Sequence, residues 1–470
     1  MSVRNLAKAY AAAQSPADRA LIAAEALTPG PDGDLTAMEI LARLAAVTPS
    51  APVTGIAAKP FLALIEAARA QNRRRLAAAL AIVLRRRVTP PGADHGATLL
   101  MNAVKIEHFS DPGVVASIGR AAEAAGLANL SLNARLRFTR LRPYWRDPKN
   151  GENVVRALVL NRLPNLAITE ERFVYNQSNL PRGYAEGKMH ERLALDVLLL
   201  QGVDIERHLA AIAPPDVVIN NIGDADVLTR EGKGPAIRRI ADHFGARLIN
   251  PPETVAALSR DGNYRRIGET DRVVFPRTFR IAPGEDADRA IERISRDVGW
   301  PAIIRDQSSH MGRGAVLSPG PAMARAALTD LAASGAFAIA FHDCRQPDGL
   351  YHGYRIYMIG DHFTPSRLHC GAGWNVHSAD HDAARADRTD IDFDALEARY
   401  WDDPESVVGR DNWAALKQVL RDTGLDFCGL DFTIMPDGRA LIFEVNPAMH
   451  IRTRGREAFE RLLGVRPAAS

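Results

Sequence analysis

Apolar residues recur at intervals of three and four through the first 140 residues, which predicts helices. Residues 60–87 and 114–126 show this spacing between Pro and Gly breakers, and no strand pattern interrupts it. We therefore expect an N-terminal all-helical domain over residues 1–150, serving as a scaffold or for dimerisation. A peptide-binding helical solenoid is the alternative, although its repeat signal is weak.

Turn-forming residues fill positions 143–151, and short apolar runs then alternate with helical patterns. Such alternation predicts a small α/β domain over residues 151–252. Its strands end in polar residues, Asn161 and Asn220, at the sheet edge where open α/β sheets bind ligands. A glycine-rich dinucleotide fingerprint is absent from the sequence, which disfavours nicotinamide chemistry. The predicted strands are 154–160, 216–220 and 247–250, and the predicted helices are 189–201 and 235–244.

From residue 253 to residue 470 helical patterns separate pairs of alternating strands, which predicts a mixed C-terminal domain. The predicted fold class is thus α+β and α/β, with all three parts on one chain. The helices expected in this last part are 288–298, 322–334 and 412–423.

Residues 427–447 form two alternating strands around Asp437-Gly438, a strong two-residue hairpin signal. If Pro436 pairs with Arg439, Asp431 lies directly opposite Glu444, and Asn446 points from the same face. Opposed carboxylates repel unless a cation lies between them or one is protonated. Two carboxylates and an amide oxygen suit Mg²⁺. The alternative is an exposed hairpin whose acids face solvent.

A polar loop over residues 308–314 separates a strand ending at Arg305 from a strand beginning at Ala315. Its small residues and backbone N–H groups suit a phosphate, and Arg305 and Arg313 add positive charge. Ser/Gly loops between strands are usually plain turns, so this loop alone is weak support.

The composition restricts which residues can contact a phosphate and which partners we expect. Only seven of 59 basic residues are lysine, and none lies between Lys233 and Lys417, so cationic phosphate contacts there must come from arginine or histidine. A net charge of +3 does not indicate a nucleic-acid binder. The three cysteines lack paired spacing, which predicts reduced thiols. With no leader pattern and no bilayer-length apolar run, we expect a cytoplasmic protein without membrane partners.

The acidic hairpin, the polar loop and their order resemble the ATP-grasp superfamily, which includes glutathione synthetase and D-alanine ligase. The resemblance covers residues 253–470, with the α/β unit matching the family's preceding domain, and implies ATP and Mg²⁺ as cofactors. It implies that Asp431, Glu444 and Asn446 hold the metal, and that Arg355 and Arg305 act on the transferred phosphate. The remaining nucleotide contacts that it implies are Arg266, Ser308, His310, Gly312, Arg313, Gly314 and the hinge Phe341, His342 and Asp343, after the strand that begins at Ala336.

One departure from the family is that arginine stands where lysine is usual, at Arg305 and in the segment 260–266. Arginine also binds phosphate bidentately, so the electrostatic role can survive. Substrate contacts are expected at His369, Trp374, His377, Arg452 and Arg454, for which packed or solvated positions are the plain alternative.

The function that the resemblance implies is ATP-dependent ligation of a carboxylate to an amine through an acyl phosphate, with small-molecule or peptide substrates. Two alternatives stay open at this point: a nucleotide-binding scaffold without turnover, and a phosphoryl transferase that uses the same site. A homodimer is compatible with the sequence, which leaves the oligomeric state open.

Overall fold

The computed structural model describes residues 112, 115, 128–162, 166–168, 173–175, 191–200, 204–307, 314–447 and 455–465. The predicted helix 60–87 and nearly all of 114–126 lie outside the described residues. One N-terminal helix is described, α1 (Ala128–Leu141). The predicted domain boundaries near residues 150 and 252 stay predictions.

The chain divides into two compact units. The first contains residues 1–145, 162–176 and 198–210. Its described elements are α1, a short strand β1 (Tyr144–Trp145), the antiparallel hairpin of β3 (Leu166–Ile168) and β4 (Phe173–Tyr175), and α2 (Glu206–Leu209). The second unit contains residues 146–161, 177–197 and 211–470, and all of the predicted chemistry lies in it.

The second unit begins with a parallel sheet in which β5, β2, β6 and β7 are neighbours in that order. Register pairs such as Val159 with Ile219 and Val218 with Leu248 confirm the three predicted strands. Buried apolar side chains fill these strands, as is typical of sheets covered on both faces. The elements are β2 (Val155–Asn161), β5 (Leu193–Leu199), β6 (Val217–Asn220), β7 (Arg247–Ile249), α3 (Ala225–Arg230), α4 (Gly234–Phe244) and α5 (Pro252–Ala256).

The predicted helix 189–201 is wrong, because Leu193–Leu199 is strand β5. Every residue of β5 is buried, so the run carries no alternation that would distinguish a strand from a buried helix. Its central Asp196 is buried against Arg156, with 2.6 Å between Nη1 and Oδ1. This ion pair lies inside the α/β sheet.

A four-stranded antiparallel sheet follows, with strand order β11, β10, β12, β9. One face packs on two helices through Ile294, Ile304 and Ala324, so the opposite face carries Arg305. In chain order, the elements between residues 260 and 340 are α6 (Arg260–Ile267), β8 (Val273–Val274), β9 (Thr278–Ile281), α7 (Ala287–Asp297), β10 (Ala302–Asp306), β11 (Ala315–Ser318), α8 (Pro321–Asp330) and β12 (Ala336–Ala340), of which β8 belongs to the next sheet.

A five-stranded sheet completes this unit, with order β14, β13, β15, β16, β8. Its core face packs Tyr354 on Phe432 and places Tyr400 against both Tyr354 and Trp413. The sequence over residues 353–369 also predicts a hairpin with a Gly360-Asp361 turn, and this prediction is confirmed, since Ile359 pairs with His362. The elements are β13 (Tyr351–Ile359), β14 (His362–Gly371), α9 (Ser378–Asp387), α10 (Phe393–Asp402), α11 (Pro404–Val408), α12 (Arg410–Arg421), β15 (Phe427–Ile434), β16 (Ala440–Asn446) and α13 (Arg456–Leu462).

The β15–β16 turn differs from the predicted two-residue turn. The Met435 N–H donates to the Arg439 carbonyl at 2.8 Å, so three residues, Pro436 to Gly438, form the loop. This shifts the register by one residue, and Phe432 pairs with Ile442. A β-bulge at Phe443 absorbs the shift, and Asp431 still pairs with Glu444 as predicted.

None of the described helices has the length and apolar character needed to cross a membrane. The three cysteines are buried free thiols. Burial raises the pKa of each thiol to about 12, which keeps them protonated and unreactive.

Candidate functional site

Asp431 on β15 lies opposite Glu444 on one side and opposite Arg355 of β13 on the other. The Arg355 guanidinium donates two hydrogen bonds to the carboxylate, Nε to Oδ1 at 2.5 Å and Nη2 to Oδ2 at 2.6 Å. Burial opposes the charge of Asp431, but Arg355, with Arg367 and His369 nearby, holds the pKa of this carboxyl below its ordinary value. Asp431 is therefore ionised near neutral pH.

Glu444 is paired with a different arginine. Arg260, the first residue of α6, donates from Nη2 to Glu444 Oε1 at 2.7 Å and from Nη1 to the Phe443 carbonyl at 3.1 Å. The repulsion expected between the two acids is thus balanced by one arginine each, and no cation between them is needed in this arrangement.

Arg305 of β10 faces the same place from the four-stranded sheet. Burial, followed by the positive charge of Arg260, lowers the pKa of Arg305 to about 10, while Glu444 opposes this shift. Arg305 stays protonated at neutral pH. Three arginines and two carboxylates therefore converge where the faces of the four-stranded and five-stranded sheets meet α6.

A cavity of about 560 Å³ lies beside the end of β12 and the start of β10. Aromatic rings from four segments line it: Tyr264 of α6, Phe275, Trp300 and the predicted hinge residue Phe341. His342 also lines the cavity, and burial lowers its pKa, so its imidazole is neutral at pH 7. Arg265, Glu269 and Arg277 also line the cavity, and its aromatic part suits a flat heterocycle.

Two elements connect this cavity to the charged cluster. Helix α6 carries Arg260 at its first turn and Tyr264 one turn later, and β10 carries Arg305 four residues after Pro301. These separations correspond to about 6 Å along a helix and about 13 Å along a strand. A ligand with a heterocycle at one end and several anionic groups at the other would fit this distance.

The metal prediction can be compared with the donor set. Within the described residues, no group of three or more His, Cys, Asp and Glu side chains is close enough to hold a metal ion. Mg²⁺ is bound by oxygen atoms, and an amide oxygen can take the place of a third carboxylate, so two carboxylates and one amide oxygen form a suitable set. Asp431, Glu444 and Asn446 therefore fit the ion chemically, provided that Arg355 and Arg260 share or release the carboxylates.

Of the predicted substrate residues, His369 and Trp374 contact or influence residues of the cleft, whereas His377 has a local structural role. His369 stacks on His381 with 5.3 Å between ring centroids, and its charge influences Asp431. Trp374 contacts the hinge ring of Phe341 edge to face at 6.1 Å. The backbone N–H of His377 donates to Asp380 Oδ2, so His377 is the N-cap of α9.

Sequence comparison finds limited similarity to named proteins. No family model matches the chain. It is 22% identical over 239 residues to human N-acetylaspartylglutamate synthase A, covering 49% of this chain and 54% of the human protein. The chain thus spans about half the length of the curated relatives that it matches.

Solved structures give loose similarities. The VanG D-Ala:D-Ser ligase from Enterococcus faecalis superposes with a TM-score of 0.42 at 14% identity, covering 67% of this chain and 99% of the ligase. D-alanyl-alanine synthetase A from Vibrio cholerae gives 0.43 at 11% identity, covering 66% and 98%. Superpositions this loose add no detail to the site, so the strand pairing and the acidic hairpin carry the resemblance.

The chain resembles the ATP-grasp carboxylate–amine ligases.

Some of the residues predicted from the ATP-grasp resemblance lie apart from the cleft. Arg266 donates to the Asp422 carbonyl at 2.9 Å and to Asn263 Oδ1 at 3.1 Å, away from the acids. Asp343 accepts from the Arg345 N–H and is exposed. Gly314, with φ of +68°, leads into β11. Outside the described residues lie Ser308, His310, Gly312, Arg313, Arg452 and Arg454.

Two residues of this cleft were not predicted. Arg260 stands in the arginine-rich segment where family members carry a lysine, but the choice between it and Arg266 depends on which helix face meets β16. Arg367 pairs with Arg355 across β13 and β14, and its Nη2 lies 3.7 Å from Asp431 Oδ1. The register of the Gly360-Asp361 turn would have paired Arg355 with Ser366, and only a bulge at Ser366 brings Arg367 opposite Arg355, so local pattern offered no signal for Arg367.

Proposed function

We propose that this protein is an ATP- and Mg²⁺-dependent carboxylate–amine ligase. The observation that carries the proposal is the direct opposition of Asp431 and Glu444 on adjacent strands, with Arg305 facing Glu444 from the other sheet. Opposed acids beside a buried cation suit a metal–phosphate site better than a solvent-exposed hairpin.

Each part of the cleft has a place in this proposal. The aromatic cavity next to Phe341 and His342 would hold the adenine, and Arg305 and Arg260 would contact the phosphates. Asp431, Glu444 and Asn446 would hold Mg²⁺, which supplies charge neutralisation on the phosphate oxygens. Arg355 and Arg367 are placed to stabilise negative charge that develops on the transferred phosphoryl group.

The proposed reaction has two steps. A substrate carboxylate oxygen attacks the terminal phosphorus of ATP and ADP leaves, which forms an acyl phosphate. The amine nitrogen then attacks the acyl carbon, phosphate leaves, and an amide remains after the nitrogen loses a proton. The acid alone suffices for the first ADP to leave, whereas phosphate release and repeated turnover depend on both the acid and the amine.

The substrates proposed here are anionic. The name N-acetylaspartylglutamate describes an amide-linked product rich in carboxylates. A cleft in which Arg355 and Arg367 lie side by side would suit such an acid.

The test is an ADP-release assay over acidic amino acids and short peptides, each paired with amine acceptors, in Mg²⁺. Glu444→Gln removes a metal carboxylate at a half-exposed position, so it should abolish ADP formation without unfolding the protein. Glu457→Gln, a highly exposed acid in α13, is the matched control and should keep wild-type activity. Full activity in Glu444→Gln would refute the proposal.

One observation favours a second function, nucleotide binding without turnover. Both metal carboxylates are paired with arginine, which competes with a cation. The same assay separates the two functions: a scaffold would bind a nonhydrolysable ATP analogue yet release no ADP with any acid and amine pair.

A further inference from the structure

Asn250 follows β7 and is fully buried. Its φ of +54° lies in the left-handed region, and among the described residues no other non-glycine residue has a positive φ. Asparagine tolerates this conformation better than most residues. Because this conformation is disfavoured, a buried asparagine keeps it only where the surrounding contacts fix its backbone.

The side-chain amide of Asn250 uses its full hydrogen-bonding capacity. Its Nδ2 donates to the carbonyls of Phe427 at 2.8 Å and Pro447 at 2.9 Å. Its Oδ1 accepts from the N–H groups of Asp426 at 3.0 Å and Phe427 at 3.2 Å. One side chain therefore joins the start of β15 to the residue after β16.

This junction lies beside the acidic site. Gly429 and Asn446 form the last described pair of the β15–β16 ladder, and Pro447 follows at once. The carbonyls of Phe427 and Pro447 are both acceptors and cannot bond each other, so a donor between them is required. Asn250 supplies that donor and closes the end of the hairpin next to Asn446.

The contact continues into the α/β sheet. The Asn250 N–H donates to Asp426 Oδ2 at 2.9 Å, and its carbonyl accepts from Asn220 Nδ2 at 3.0 Å. Arg247 donates to the other Asp426 oxygen at 2.8 Å. Asn220, one of the two polar strand ends that the sequence offered as a ligand edge, thus holds Asn250 against the hairpin.

We propose that Asn250 is a positioning residue that orients Asn446 and Glu444 toward the divalent cation. This inference rests on the proposed function, because it assumes that these residues bind the cation. Loss of residues that orient metal ligands commonly weakens metal binding about 10- to 100-fold.

The test measures Mn²⁺ binding by the free-Mn²⁺ EPR signal, with a nonhydrolysable ATP analogue present, for the full chain. Asn250→Asp replaces the two donors with a carboxylate oxygen that faces two carbonyls, so the affinity for Mn²⁺ should fall about 10- to 100-fold. Asn250→Gly keeps the left-handed backbone without strain and should also bind Mn²⁺ more weakly, which provides a second variant if the first does not fold.

The matched control is Asn412→Asp. Asn412 is a buried amide whose Nδ2 donates to the carbonyls of Val408 at 2.8 Å and Gly438 at 2.7 Å, so it holds the turn end of the same hairpin. Its substitution should lower the free energy of unfolding and leave Mn²⁺ affinity unchanged.

Equal losses of Mn²⁺ affinity in the Asn250 and Asn412 variants, or wild-type affinity in both Asn250 variants, would overturn the inference and leave the proposed function standing. Wild-type protein that binds no Mn²⁺ with the ATP analogue would remove the proposed function, and this inference with it.

Discussion

Asp431 and Arg355 lie directly opposite each other on β15 and β13 and form a bidentate ion pair, with each side chain only 15% exposed. The Arg355 backbone is anchored as well, because Tyr400 Oη donates to its carbonyl at 2.9 Å. The pair therefore contributes to folding as well as to the chemistry proposed above.

Asp431→Asn should lower the free energy of unfolding by about 3 kcal/mol at pH 7, because Arg355 keeps a largely buried charge without its carboxylate. Chemical denaturation measures this loss. The carboxyl pKa is lower in the folded state, so the stabilisation is complete above its unfolded pKa of about 3.9 and disappears as pH falls through the folded value. Wild type and variant should converge in acid.

Asp390→Asn is the control for that measurement, since Asp390 pairs with Arg388 at the surface and its removal should have little effect on stability. A free energy of unfolding unchanged at pH 7 in Asp431→Asn would contradict the structural role of the pair.

Arg260→Ala should weaken the binding of an ATP analogue about tenfold, the cost of one charge-assisted hydrogen bond. Arg266→Ala, on the same helix, should not, because Arg266 contacts the Asp422 carbonyl away from the acids. Isothermal titration calorimetry compares the two variants. A larger loss in Arg266→Ala would show that the other face of α6 meets the nucleotide.

His342 should make the protein less stable in acid. Burial keeps its pKa below the ordinary value of 6.5, so the unfolded chain takes up a proton that the folded protein resists. Its contribution to stability is present above the unfolded pKa of about 6.5 and is lost as pH falls through the lower folded value. Denaturation of wild type and His342→Gln across pH 5 to 8 checks this: the variant should lose less stability, and parallel curves would contradict the prediction.

Gly438→Ala should lower the free energy of unfolding by about 1–2 kcal/mol, because φ at this turn position is +88° and a β-carbon is disfavoured there. Urea denaturation measures the loss. Gly373→Ala, with open space where its β-carbon would lie, is the control and should change stability less. Gly438→Asn should be milder than Gly438→Ala, and equal losses in the two would argue against backbone strain as the cause.

Local pattern was sufficient for most of the C-terminal sheet. Alternating apolar residues around Gly360-Asp361 and Asp437-Gly438 predicted both hairpins, because side-chain period and turn chemistry are encoded within a few residues. The same reasoning could not identify β5, since a strand covered on both faces loses its alternation.

The pairing of Asp431 with Glu444 was predicted correctly from a turn that was wrong by one residue. The three-residue loop would have placed Phe443 opposite Asp431, and the bulge at Phe443 restored the predicted pair. A bulge depends on what packs on both sides of a strand, including the Arg260 contact to the Phe443 carbonyl. Two neighbouring residues alone do not encode it.

By itself the sequence determined which groups are available: acids within apolar strands, arginine where lysine is usual, and turns that bring strands together. Only the tertiary structure decided their partners: Asp431 forms an ion pair with Arg355, Glu444 forms one with Arg260, and Asn250 donates a hydrogen bond to the residue after β16. The physical reason is that secondary structure follows from local backbone preferences, whereas an ion pair or a buried amide depends on residues distant along the chain.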